Sequence, residues 1–194
     1  RKKLTHELQN RIGQSSFVIG IAARLAAEKG IEYVLSAIPL IQSLRGDKEI
    51  TLVLAGSMNP VGEAAYKRTI MALVKKYKKY VVFLGEIKPK DMGSFYAILD
   101  VLVLSSVNST ESFGLVQVEA MLKGVPVVAS DLPGVRVPVS LTGMGVVVPP
   151  KDSVAIARAI VMISHDRAKF VKTASFVRQH FPDGESVRKF RRLL

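Results

Sequence analysis

Short runs of aliphatic and β-branched residues alternate with longer amphipathic stretches along almost the whole chain. "SFVIGIAA" predicts a buried strand and "GIEYVLSAIPLIQSL" an amphipathic helix after it. "EITLVLAG" predicts a second strand, followed by a helix over residues 63 to 78 with a basic polar side. "YVVFLG" reads as a third strand, with a short helix in "KPKDMGSFYAIL". "DVLVLSS", "VPVVASD" and "GVVVPP" complete six strands, and "SVAIARAIVMIS" opens a helical tail continued by "AKFVKTASFVRQHF" and "ESVRKFRRLL". Strands this uniformly apolar need cover on both faces. The pattern predicts an α/β fold, a doubly wound, mostly parallel six-stranded sheet with helices on both sides. No repeat, low-complexity tract or long linker interrupts it, so residues 1 to 194 are expected to form one domain.

In such sheets ligands bind beyond the carboxyl ends of the strands. That edge carries "AARLAAEKG", "AGSMNP", "GEIKPK", "SSVNSTESFG" and "SDLPGVR". The fourth of these leads into a helix expected to begin near Gly114, because Leu115, Val118 and Leu122 recur at helical spacing. Glu119 then stands about 40° from Leu115 at the margin of the apolar stripe, with Glu111 just ahead of the helix. Two readings of the acids stay open. They can accept hydrogen bonds from two sets of sugar hydroxyls, with phosphates between them. Otherwise Glu111 complements the helix terminus and Glu119 pairs with Lys123 one turn on.

Composition narrows the partners. The 194 residues carry a net charge of +12, concentrated in "YKRTIMALVKKYKKY", at the amino terminus and in "VRKFRRLL". Nucleic acid, anionic lipid and phosphorylated small molecules all suit that charge. Aromatics are few, at 7%, which disfavours nucleic acid. No apolar run reaches the ~20 residues of a membrane helix, and no secretion signal opens the chain. The absence of cysteine fits a reducing cytoplasm. The missing initiator Met suggests a piece of a longer protein.

Neither a dinucleotide fingerprint, a P-loop nor a serine-hydrolase elbow is present, and no D-x-D pair offers to hold a metal. The remaining candidates are Arg24 and Lys29, flanking the turn after the first strand, and the loop Ser112-Phe113-Gly114-Leu115, whose N–H groups open a helix. Charge-assisted bonds from the two cations contribute roughly 1.5–3 kcal/mol each, against ~0.3–2 kcal/mol from the terminus. Binding at even ~1 mM requires about 4 kcal/mol, so a diphosphate needs the cations.

"ARLAAEKG", "FLGEI", "YAILDVLVLSS", "ESFGLVQVEAMLKGVPVVASDLPG" and "TGMGVVVPPKD" resemble, in that order, the family 4 retaining glycosyltransferases (glycosyl transferases group 1). The match covers roughly residues 15 to 165 and corresponds to the carboxy-terminal, nucleotide-sugar-binding half of the GT-B architecture. The resemblance implies that Arg24 and Lys29 bind the donor diphosphate and offset leaving-group charge. It further implies that Glu111 holds donor-sugar hydroxyls beside the N–H groups of Phe113, Gly114 and Leu115, and that Glu119 accepts from the ribose. The base would lie against the backbone from Gly85 to Ile87, with UDP or GDP as the carrier. Metal-independent transfer with retention at the anomeric carbon follows, with no cofactor. So do an acceptor domain on a missing amino-terminal half, towards which the tail helices pack, and little activity from this half alone. A cytoplasmic location is expected, peripheral on the membrane's inner face if the basic helix docks there. Two positions depart from the family: Ala23 replaces the usual Gly before the arginine. "GVRVPV" replaces "G-x-P-E-x-V", so that Arg136 adds positive charge near the donor. The alternative is a basic interaction module on the same fold, binding anionic membrane or nucleic acid without a donor.

Overall fold

The computed structural model describes Ile12 and residues 16–46, 49–59 and 61–181. Six strands form one sheet: β1 (Phe17–Ala22), β2 (Ile50–Ala55), β3 (Val81–Gly85), β4 (Val101–Leu104), β5 (Val127–Ser130) and β6 (Gly145–Val148). Their order is β3-β2-β1-β4-β5-β6 and every pairing is parallel, so the sheet is fully rather than mostly parallel. The order reverses between β1 and β4, which opens a crevice at their carboxyl ends.

Period-two alternation divides the apolar strand residues between two layers. Ile19, Ile21, Leu52, Leu54, Val101 and Val103 face one way, onto α1 (Ile31–Arg45), α2 (Ala64–Lys76) and α6 (Ser153–His165). Val18, Val53, Leu102, Leu104, Val127 and Ala129 face the other, onto α3 (Met92–Tyr96), α4 (Leu115–Met121), α5 (Val137–Thr142) and α7 (Ala174–His180). Both faces are therefore covered, as the uninterrupted apolar runs require. β3, at one margin, is only half-buried throughout.

Several helices differ from the sequence expectation. α5 was not anticipated; Pro138 sits in its first turn, where a missing N–H costs nothing. Pro39 falls inside α1, yet that helix runs unbroken. Short 3₁₀ turns at Ala27–Lys29, Pro89–Asp91 and Arg167–Phe170 replace parts of loops and predicted helices. The final predicted helix, "ESVRKFRRLL", and the basic amino terminus lie outside the described residues.

Candidate functional site

The turn after β1 runs along the carboxyl ends of β2 and β4. Ala23 N–H donates to the Ala55 carbonyl and Leu25 N–H to Ser57, both at 2.9 Å. On the β4 side, Val107 N–H donates to the Glu28 carbonyl at 2.9 Å and Ser105 Oγ to that of Lys29 at 2.8 Å. Gly30 closes the turn with φ +58°; a methyl group there would lie 2.3 Å from the Ser105 carbonyl oxygen. Only a residue without a side chain lets the turn come this close.

From that platform Lys29 Nζ donates to Glu111 Oε2 at 2.8 Å, and each side chain keeps 18% of its surface exposed. Residues 82 apart in sequence are thus joined at the sheet's reversal point. Arg24 is more open, at 57%, with Nη2 on Glu28 Oε1 at 2.5 Å. Both candidate cations are therefore already paired with acids, and the site is less electropositive than Arg24 and Lys29 suggest alone. Glu28 was missed, although it stands four residues after Arg24.

The loop carrying Glu111 is held from beneath. Asn108 Oδ1 accepts from Thr110 N–H at 3.1 Å and Thr110 Oγ1 at 2.6 Å, which tightens its start. Gly114, at φ +72°, turns the chain into α4 against Leu104. Buried Gln117 donates through Nε2 to the carbonyls of Phe113 and Val135, both at 2.9 Å, tying the loop to the segment after β5. There Gly134 lies so close that a Cβ would fall 1.6 Å from the Ser112 carbonyl oxygen. Ser112 is exposed, while Phe113 and Leu115 are half-buried. Gln117 and Gly134 escaped sequence reasoning, because only the folded chain brings them beneath the loop.

An open cleft of about 350 Å³ lies beside these groups, lined by Ala22, Ala23, Arg24, Ile87, Met92 and Val116 among others. Arg24 and Ile87 line it; Lys29, Glu111 and Glu119 do not. Gly85 adjoins it, with its carbonyl accepting from Gly56 N–H at 2.8 Å. Glu119 is half-buried one turn behind Val116, and Tyr96 Oη donates to its Oε2 at 2.8 Å. The expected extra charge of Arg136 is offset: its Nη1 meets Asp131 Oδ1 at 2.8 Å. Among the described residues, no group of three His, Cys, Asp or Glu stands close enough to hold a metal ion.

A family model described as "Glycosyl transferases group 1" matches residues 3–179. D-inositol 3-phosphate glycosyltransferase of Corynebacterium urealyticum is 30% identical over 169 residues, 86% of this chain and 39% of that protein. The crystal structure of Anabaena Alr3699/HepE in complex with UDP and glucose superimposes with a TM-score of 0.75 at 27% identity, over 91% of this chain and 46% of that one. The carboxy-terminal domain of a glycosyl transferase group 1 family protein (LpcC) from Francisella tularensis gives 0.71 at 26% identity, over 90% and 89%. The chain thus spans less than half the length of the Corynebacterium relative and nearly all of the Francisella domain.

Proposed function

Because the chain belongs to the glycosyl transferases group 1 family, we propose that residues 1 to 194 form the nucleotide-sugar-binding half of a two-domain transferase. The observation that carries this reading is the meeting of Lys29 and Glu111 at the sheet's reversal point, beside the cleft lined by Arg24 and Ile87. The UDP in the Anabaena neighbour supports a nucleoside diphosphate as the ligand class. The nucleotide is UDP or GDP, with its base along Gly85 to Ile87 and its ribose hydroxyls donating to Glu119. The diphosphate lies against Arg24, Lys29 and the N–H groups of Phe113, Gly114 and Leu115. α4 has only seven residues, so the side-chain cations carry most of the anion affinity.

Donor binding exchanges one anion for another at Lys29. The ammonium turns from the Glu111 carboxylate to a phosphate oxygen, and the freed carboxylate accepts from hydroxyls of the transferred sugar. In the transfer step the anomeric C–O bond to the phosphate breaks, and its electron pair stays on the leaving diphosphate beside Arg24 and Lys29. An acceptor oxygen ends bonded to that carbon with its configuration retained, and the acceptor's proton balances the charge left on the departing diphosphate. Two cations meet the developing charge without a metal. The acceptor is held by the amino-terminal domain of a full-length protein.

Calorimetric titration with UDP and GDP tests this reading. Saturable binding of one of them, weakened at least tenfold in Lys29→Met, supports it; no heat from either at millimolar concentration overturns it.

The basic helix favours a second, compatible reading. Residues 64–85 carry Lys67, Arg68, Lys75, Lys76, Lys78 and Lys79 and no acid. All of these but the half-buried Lys67 are exposed, around an exposed Met71. We infer an anionic membrane surface as its partner, at about 1 kcal/mol per cation near the headgroups. Among the described residues no helix is long and apolar enough to cross a membrane. Salt-sensitive sedimentation with phosphatidylglycerol vesicles supports docking; stronger binding to an oligonucleotide favours the interaction module without donor.

A further inference from the structure

Lys29 is fixed from the β4 side by Ser105, but a second element grips the same turn from the opposite direction. Ile31 is the first residue of α1, and its N–H has no partner within that helix. Gly30, which precedes it, offers no side chain to cap it. The acceptor comes instead from α2: Ile31 N–H donates to Tyr66 Oη at 3.0 Å. The same hydroxyl donates to Glu32 Oε2 at 2.5 Å. Burial, together with that carboxylate, raises the phenol well above its ordinary pKa, so the hydroxyl keeps its proton and both bonds persist. Three residues earlier, at the N-cap of α2, Glu63 Oε2 accepts from Ala27 N–H at 3.3 Å. Glu63 and Tyr66 thus hold backbone groups on either side of Lys29, while Ser105 holds its carbonyl.

We propose that Tyr66 is a positioning residue for Lys29, fixing through the Ile31 N–H where the ammonium meets the donor diphosphate. This role rests on the donor-binding reading above. Ile31 has no exposed surface, so water does not replace a lost partner. Without the hydroxyl the start of α1 shifts until its N–H finds another acceptor. Gly30 is pressed against Ser105 and Val107 in the segment after β4, so that shift passes into Lys29. The nucleoside end of the ligand, along Gly85 to Ile87, lies on other elements and is unaffected.

The test compares Tyr66→Phe with the unmutated chain, using UDP and GDP alongside uridine and guanosine. The expected result is a three- to tenfold loss of affinity for the nucleoside diphosphate, with the matching nucleoside unchanged. In a Lys29→Met background the same substitution should add less than a twofold effect. Equal weakening of both ligands, or full additivity with Lys29→Met, would mean a general structural role and overturns the proposal. Unchanged diphosphate affinity overturns it too. If Tyr66→Phe does not fold, Glu63→Ala removes the acceptor for Ala27 N–H at a half-buried position and should give a smaller loss, again confined to the diphosphate; no loss there counts against the proposal. An unmutated chain that binds no nucleoside diphosphate removes the donor reading and this role together. A binding chain with an indifferent Tyr66→Phe removes only the role.

Discussion

Replacing Glu111 by Gln should make a bare nucleoside diphosphate bind more tightly. The carboxylate holds Lys29 at 2.8 Å, with 18% of each side chain exposed. At an effective dielectric of about 20, charges at that distance attract by about 6 kcal/mol before desolvation and side-chain ordering are counted. Exposed pairs retain ~0.2–1 kcal/mol of this, and breaking a buried pair costs ~3–5 kcal/mol. A pair mostly but not fully covered falls between, at about 1–3 kcal/mol. UDP or GDP must oppose that attraction to recruit the ammonium, and has no transferred sugar to occupy the freed carboxylate. Glu111→Gln removes the competition together with a negative charge near the phosphates, so the diphosphate should gain about 1 kcal/mol, roughly fivefold. The sugar-linked donor should gain less, because a neutral amide accepts more weakly from hydroxyls. Two measurements check the argument. A urea-denaturation cycle over Lys29→Met, Glu111→Gln and the double variant should return the coupling of about 1–3 kcal/mol. Calorimetry should show a larger gain for the diphosphate than for its sugar conjugate. A coupling below about 0.3 kcal/mol, or diphosphate binding weakened in Glu111→Gln as in Lys29→Met, would refute the reasoning.

Gly134→Ala should destabilise the chain by about 1–3 kcal/mol in urea and lower donor affinity, since its methyl group would overlap the Ser112 carbonyl at 1.6 Å. Gln117→Leu should cost about 2–4 kcal/mol in the same assay, because two carbonyls lose their shared donor inside the fold. Tyr96→Phe removes the hydroxyl that donates to Glu119 at 2.8 Å. It should reduce the discrimination between a nucleoside diphosphate and its 2′-deoxy form by about two- to fivefold, measured as a ratio of calorimetric affinities.

The sheet was legible because its central strands are covered on both sides, so Val, Ile and Leu fill most of their positions on both faces. α5 was hidden: "VPVSLT" is short, β-branched and contains a proline, all of which weigh against a helix until burial of Val139 and Thr142 decides the matter. Lys29 and Glu111 stood out because they fall at the carboxyl ends of strands, where such sheets bind ligands, within motifs that resemble a known family. Their pairing did not, since 82 residues separate them and only the parallel order of β1 and β4 brings them together. Tyr66 was invisible for a similar reason. On α2 it reads as an aromatic at the edge of an apolar stripe, and its hydroxyl acquires a task only when α1 begins beside it. Helical spacing set Glu119 at the margin of its apolar stripe but gave no hint of Tyr96, 23 residues earlier, whose hydroxyl donates to it.

The tight backbone contacts at Gly30 and Gly134 also tell a protein engineer where not to look. Attempts to retune donor preference by random mutagenesis would exhaust their libraries on such positions, where any added atom dislodges a loop. Ala22, Ala23, Ser57 and Val116 border the open volume and are half-buried rather than enclosed, so saturation at those four codons is the economical route to a pocket of altered appetite.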